Sequence, residues 1–176
     1  MTARETALVT LKKCLRSGQY SNIALDNALK SSELSQNDRA LTAMLFYGVI
    51  ERRITLDFYI SALSSRPIGE IDVDILEILR LGIYQLKYLD RVPDHAAINE
   101  TVSLATAKSK GFVNAVLRSY TRQASEIALP EREAGESRAL SVRFSVCEEL
   151  CGKLLSIFGY ERCESIFASL EGKDHL

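Results

Sequence analysis

The side chains best suited to bind a metal or attack a substrate in this 176-residue sequence are Cys14, Cys147, Cys151, Cys163, His95 and His175. Cys147 and Cys151 stand at i,i+4 on one expected helical face, with Cys163 and His175 following. A zinc site needs four ligands in one tight constellation, and the second half of such a constellation is missing. The expectation is free, buried thiols. His95 follows Pro93-Asp94 at a helix start with no nucleophile beside it, so a surface or capping place is expected. Glu70, Asp72, Asp74 and Glu77 gather around the first turns of a helix, where carboxylates complement the positive end of the dipole. Nucleotide-binding, nucleophile-elbow and zinc-protease motifs are all missing. The residues predict neither catalysis nor a metal site.

Cations offer a different chemistry, the binding of phosphate. Lys12 and Arg16 are i,i+4 neighbours on one flank of the first apolar stripe, Lys13 projects behind it, and Arg4 falls within the stripe itself. A guanidinium at a core edge generally has a specific partner. Arg39, Arg52 and Arg53 bracket the third helix, and Arg118 and Arg122 finish the last helix of the main pattern. Charge alone does not prove nucleic-acid binding. Residues 1–129 hold 16 Lys/Arg against 14 Asp/Glu, and residues 130–176 hold 6 against 9. Any RNA site must be a local patch.

The elements that would position these residues are helical almost throughout, because apolar residues recur with a 3.6-residue period. Residues 3–16 form the first helix, with Ala7, Leu8, Leu11 and Leu15 inward and Ser17-Gly18 as its stop. Ser21 is the expected N-cap of a helix reaching Lys30, and Ser35 that of a third running to about Arg53. The third is apolar on most sides and should be central. Helices over 55–63 and 71–88 follow, then one from Pro93 to about residue 107 and a last over 112–121. Gly48 and Gly82 lie inside strong helices, at a cost of roughly 1 kcal/mol relative to Ala, which points to close helix–helix approach. Asn99 and Asn114 are polar residues in otherwise apolar faces and should be hydrogen-bonded there, since an unpaired buried amide costs about 1–3 kcal/mol. Polar composition with Pro130 and Gly135 marks residues 127–139 as a linker, and two short helices split at Gly159 should follow within 140–176. At 47% hydrophobic and 26% charged the composition is that of a globular protein, and no apolar run approaches a membrane span of roughly 20 residues. The fold class is all-α.

The stretch from Pro93 to Arg118 resembles the NusB-type helical RNA-binding fold. That pattern has a Pro, then Ile-Asn-Glu, an apolar helix, and Phe-Val-Asn opening another. Here these are Pro93, Ile98-Asn99-Glu100 and Phe112-Val113-Asn114, with Ala115-Val116-Leu117-Arg118 continuing. Upstream, YSNIALDNAL, NDRALTAMLFYGVIERR and ILRLGIYQLKYLDRVP are similar to the N-terminal domain of the RsmB (Sun) family of ribosomal-RNA cytosine-C5 methyltransferases. Residues 140–171 resemble the segment joining that domain to the methyltransferase region. They depart from it where the common His-Pro-Glu-Trp is Val146-Cys147-Glu148-Glu149.

The resemblance implies a NusB-like RNA-binding bundle over 1–126, a linker over 127–139, and over 140–176 the start of a region leading to a methyltransferase domain. No cysteine lies in the family's Pro-Cys motif, so none inherits a catalytic role. The chain would bind no cofactor, and S-adenosylmethionine is implied for the full-length enzyme alone. It also implies an RNA surface of Arg4, Lys12, Lys13 and Arg16, with Arg118 and Arg122 as neighbours, while Asn99, Glu100 and Asn114 serve as a structural motif. Implied partners are ribosomal RNA and a C-terminal methyltransferase domain in the same polypeptide, in the cytoplasm, without membrane or DNA. One alternative is a freestanding NusB-like transcription antitermination factor binding RNA and a protein partner. Such a factor would have little reason to continue past about Gln123. A purely protein-binding helical module is the other.

Overall fold

The computed structural model describes residues 1–171, so His175 and the end of the 140–176 region lie outside the described residues. Ten α-helices and three short 3₁₀ turns account for its regular structure, and there is no strand among the described residues. The helices are α1 (Ala3–Ser17), α2 (Ser21–Lys30), α3 (Gln36–Glu51), α4 (Arg53–Leu63), α5 (Val73–Tyr88), α6 (Asp94–Ser103), α7 (Lys110–Gln123), α8 (Glu136–Phe144), α9 (Glu148–Phe158) and α10 (Tyr160–Leu170).

Local chemistry sets the ends. The Thr2 hydroxyl accepts from the Glu5 amide while the Glu5 carboxylate accepts from the Thr2 amide, a reciprocal cap that opens α1. Gly18 closes it in the left-handed conformation at φ 61°. Ser35 caps α3 as expected, and Asp72 caps α5, which moves its start to Val73. Ser21 does not cap α2. It is the first helical residue, and Tyr20 precedes it without a side-chain cap bond. Helix α6 stops at Ser103, earlier than the apolar spacing suggests. The Leu104 amide bonds back to Thr101 and Val102, Ala105 is buried, and the Thr106 and Ser109 hydroxyls close a turn at 2.9 Å.

Helix α5 is the hub, packed on α1, α3, α4, α6 and α7. Leu79, Leu81 and Ile83 from α5, Leu45, Phe46 and Val49 from α3, Leu56 and Ile60 from α4 and Leu117 from α7 are all fully buried. Both mid-helix glycines sit at crossings. A Cβ at Gly48 would fall 2.0 Å from the Tyr84 ring, and one at Gly82 would meet Leu117 Cδ2 at 2.6 Å and Thr101 Cγ2 at 3.0 Å. The missing side chain is what lets these helices touch.

A second, small core of Leu140, Phe144, Cys151, Cys163 and Phe167 joins α8, α9 and α10. The polar 127–139 stretch is partly regular, with a 3₁₀ turn at Arg132–Ala134 and α8 beginning at Glu136. Three helices follow rather than two, because the chain also breaks at Ser145, which adopts a left-handed φ of 58°. Ser145 Oγ accepts from the Ile54 amide at 3.0 Å and so caps α4, which has no cap of its own. The buried Thr55 hydroxyl donates to the Val142 carbonyl at 2.6 Å. Of the thiols, Cys151 and Cys163 are core and Cys14 is half-buried, but Cys147 is exposed. It stands just ahead of α9, outside the helix, so the expected shared face with Cys151 does not form.

Candidate nucleic-acid interface

The cations of α1 divide into three situations. Arg4 Nε donates to Gln85 Oε1 at 2.6 Å, and the buried Gln85 donates in turn to the Leu81 carbonyl and to Thr101 Oγ1, both at 3.0 Å. Arg4 thereby stitches α1 to α5 and α6. Lys12 and Arg16 converge on one carboxylate, Asp74, at 3.4 Å and 2.9 Å. Lys13 is exposed and unpaired among the described residues. The Arg16 side chain is 71% exposed and that of Asp74 40%, so this pairing contributes at most about 1 kcal/mol and a phosphate could exchange into it cheaply.

Arg118 and Arg122 occupy successive turns of α7 and are exposed. Arg118 spends only its Nε, on Asn114 Oδ1 at 3.1 Å, leaving the outer edge of the guanidinium open. Arg122 Nη2 reaches Ser119 Oγ at 3.3 Å. Neither pairs with a carboxylate among the described residues. Both line a cleft of about 320 Å³ between α6 and α7, together with Asp94, His95, Ile98, Asn99 and Thr121. No α1 residue lines it, so Arg118 and Arg122 are gathered with Asn99 rather than with the α1 cations.

Asn99 is therefore not an internal amide. Helix α6 buries Ala97, Ile98 and Thr101, and the 100° step per residue turns Asn99 and Glu100 outward. Asn114 is half-buried, and its bond is to its own helix, not across to α6. His95 is exposed at the cleft edge, as its helix-start position implies.

The acidic group at the start of α5 also separates by role. Asp72 caps and Asp74 holds Lys12 and Arg16, whereas Glu77 is fully buried. It pairs with Arg80 one turn on and with Arg53 at 3.3 Å, and Arg80 is held by both Asp57 oxygens at 2.7 Å. The signal was an i,i+3 Glu-Arg pair inside an otherwise apolar α5. Lys87 Nζ lies 4.9 Å from the Tyr59 ring centre and 5.5 Å from that of Tyr88, and Tyr120 packs edge-on against Tyr59. Burial pushes Tyr88 up to about 12 and raises Tyr120 further, so both stay neutral and serve packing rather than proton transfer.

The sequence profile of the NusB family matches residues 1–122. The chain belongs to the NusB family. Curated relatives of this NusB-family chain carry methyltransferase names. The probable ribosomal RNA small subunit methyltransferase B of Synechocystis sp. (strain ATCC 27184 / PCC 6803 / Kazusa) is 44% identical over 126 residues, 69% of this chain and 28% of that protein. The one of Bacillus subtilis (strain 168) is 35% identical over 171 residues, 94% of this chain and 37% of that protein. The ribosomal RNA small subunit methyltransferase B of Escherichia coli O1:K1 / APEC is 34% identical over 143 residues, covering 78% and 32%. The chain thus spans about a third of the length of these relatives.

Proposed function

We propose that this chain is the RNA-recognition domain of a ribosomal-RNA cytosine-C5 methyltransferase, non-catalytic by itself and working in the cytoplasm beside a methyltransferase domain. The observation that carries the RNA reading is the α6–α7 cleft, where among the described residues Arg118 and Arg122 stand without carboxylate partners beside the free amide of Asn99. A guanidinium with an open edge grips phosphate through two parallel hydrogen bonds. An amide offers a donor and an acceptor to the edge of an unstacked base, the form in which RNA sequence is mostly read. Lys12, Lys13 and Arg16 supply a second phosphate-binding face, with Arg4 bracing α1 behind it. Family membership and the names of the relatives support the same reading.

S-adenosylmethionine, the methyl donor such an enzyme would use, does not fit these residues. Nucleotide cofactors of this size are commonly held at a strand–turn–helix junction, and the described residues contain no strand. The second cleft, of about 270 Å³, is lined by Leu11, Cys14, Leu15, Ile50 and Arg53 without a carboxylate for a ribose, and the one carboxylate of the α6–α7 cleft, Asp94, stands among the arginines assigned to phosphate. No methyl-transfer step is assigned to this chain.

Filter binding of ribosomal RNA at graded salt tests the proposal. Three or four phosphate contacts give a log–log slope of roughly −2 to −3, at about −0.7 per contact on single-stranded RNA. Arg118→Glu with Arg122→Glu, and separately Lys12→Glu, Lys13→Glu and Arg16→Glu together, should each flatten the slope and weaken binding without unfolding the bundle. Parental binding by both variants at the same salt would overturn it.

A further inference from the structure

Five large apolar side chains remain exposed on the last two described helices: Leu150, Ile157 and Phe158 on α9, Ile166 and Leu170 on α10, at 47%, 69%, 43%, 39% and 60%. Of the other exposed large hydrophobics, Met1, Val9, Leu15, Tyr20 and Ile23 lie at the N-terminal end and Met44 and Val73 stand alone; the group within 150–170 is set apart by its arrangement. It is patterned. On α9, Leu150, Leu154, Ile157 and Phe158 stand at i, i+4, i+7 and i+8, one continuous stripe. Leu154 ties the stripe to the small core, in which Cys151 and Leu155 are also packed, so its uncovered part is Leu150, Ile157 and Phe158. On α10, Ile166 and Leu170 likewise flank the core residues Cys163 and Phe167. Each helix has an apolar surface wider than its present neighbours cover.

The solvent-facing sides of this unit are already marked by ion pairs. Lys153 meets Glu149 at 2.7 Å, Arg143 meets Glu164 at 2.5 Å, and Arg132 meets both Glu136 and Glu161. The apolar flank borders this charged face, with the Arg162 guanidinium 5.7 Å from the Phe158 ring centre at its edge. The unit is also fixed in place. The Thr55–Val142 and Ile54–Ser145 bonds and an ion pair from Arg52 to Glu171 hold it on the α3–α4 junction, so the flank has a set orientation relative to the bundle.

The relatives indicate the occupant. The match to the Bacillus subtilis methyltransferase takes in α9 and most of α10 yet accounts for only 37% of that protein. In that relative these helices adjoin a further region of nearly twice the matched length. We propose that the α9–α10 flank is the docking surface for the remaining, catalytic portion of a ribosomal RNA small subunit methyltransferase of this kind, seated through an apolar face of its own. This inference rests on the function proposed above. It adds that the RNA domain and the catalytic portion meet as a fixed unit rather than through a loose tether.

The test mixes this chain with the part of the Bacillus subtilis relative beyond its matched stretch, produced separately and checked by its own cooperative melt. Association is followed by titration calorimetry and sedimentation. The parent should bind, and Ile157→Asp with Leu170→Asp should weaken binding at least tenfold while leaving the melt of the chain and its RNA binding unchanged. Failure of the parent to associate at 100 µM would overturn the inference, as would equal binding by the double variant. So would a dimer of the chain alone that the variant dissolves, which would assign the flank to a second copy. RNA binding is read separately, so a parent chain that binds RNA but does not dock refutes this inference alone. Docking without any RNA binding refutes the parent reading.

Discussion

Replacing Glu77 by leucine should destabilise the protein by about 3 kcal/mol, near the lower end for breaking a buried ion pair. The structure gives reasons for that end of the range. Glu77 is fully buried, and the substitution removes the carboxylate from both Arg80 and Arg53. Arg80 keeps both oxygens of Asp57, and the side chain of Arg53, 31% exposed, can turn to water. Glu77 Oε2 has no hydrogen-bond partner among the described residues, so part of the desolvation cost of this carboxylate is uncompensated and leucine recovers it. At roughly 2–4 °C per kcal/mol for a chain of this size, the melting temperature should fall by about 6–12 °C. Arg80→Leu should cost more, nearer 5 kcal/mol, because it leaves Glu77 charged and buried with only the longer Arg53 contact. The double variant should then be less damaged than the two single losses added. Chemical denaturation of all four proteins gives the coupling directly. Additivity within about 0.5 kcal/mol, or a Glu77→Leu protein as stable as the parent, would refute the claim that these charges act as a unit.

Gly82→Ala should lower stability by about 1–3 kcal/mol in urea unfolding, because the new methyl group overlaps Leu117 and Thr101 at the α5–α7 and α5–α6 crossings. Asn114→Leu should change stability by less than about 0.5 kcal/mol, since the bond it removes is an exposed one to Arg118, and a larger loss in the thermal melt would restore an internal role for this amide. Cys147 should react with a thiol reagent at neutral pH while Cys151 and Cys163 stay protected, as peptide mapping would show. Burial raises the Cys151 thiol from 9.0 to about 11, so the folded state holds this proton more tightly than the unfolded chain. That contribution to stability is complete below pH 9 and should be lost as pH rises towards 11, visible as a falling melting temperature.

The all-α class and most helices of the bundle could be read from period and caps, because α1, α3 and α5 combine long apolar stripes with strong end signals. The tight crossings at Gly48 and Gly82 were legible for the same reason: glycine inside a strong helix has few explanations other than a neighbour. Boundaries failed where tertiary contacts decide them. Ser145 breaks the chain in a left-handed conformation that nothing local demands, and its hydroxyl caps a helix some ninety residues away in sequence. Asn99 was misplaced by one helical step, since Ile98 beside it carries the inward direction and the amide does not. On α1, spacing showed that Lys12 and Arg16 share a flank but could not show that Asp74, from α5, pairs with both. The pairing of Arg118 and Arg122 with Asn99 around one cleft depends on how α6 crosses α7, which neither helix records alone.

The cap that Ser145 places on α4 has a practical consequence for where this polypeptide can be cut. A fragment ending near residue 126 contains every element of the larger core, yet it would lack the hydroxyl that satisfies the Ile54 amide and the carbonyl that receives the Thr55 proton. It would also uncover the surface of α4 on which α8 rests. The larger core and the independently stable piece therefore have different ends. A fragment meant to behave as the bundle does in the whole chain should run through Ser145 at least.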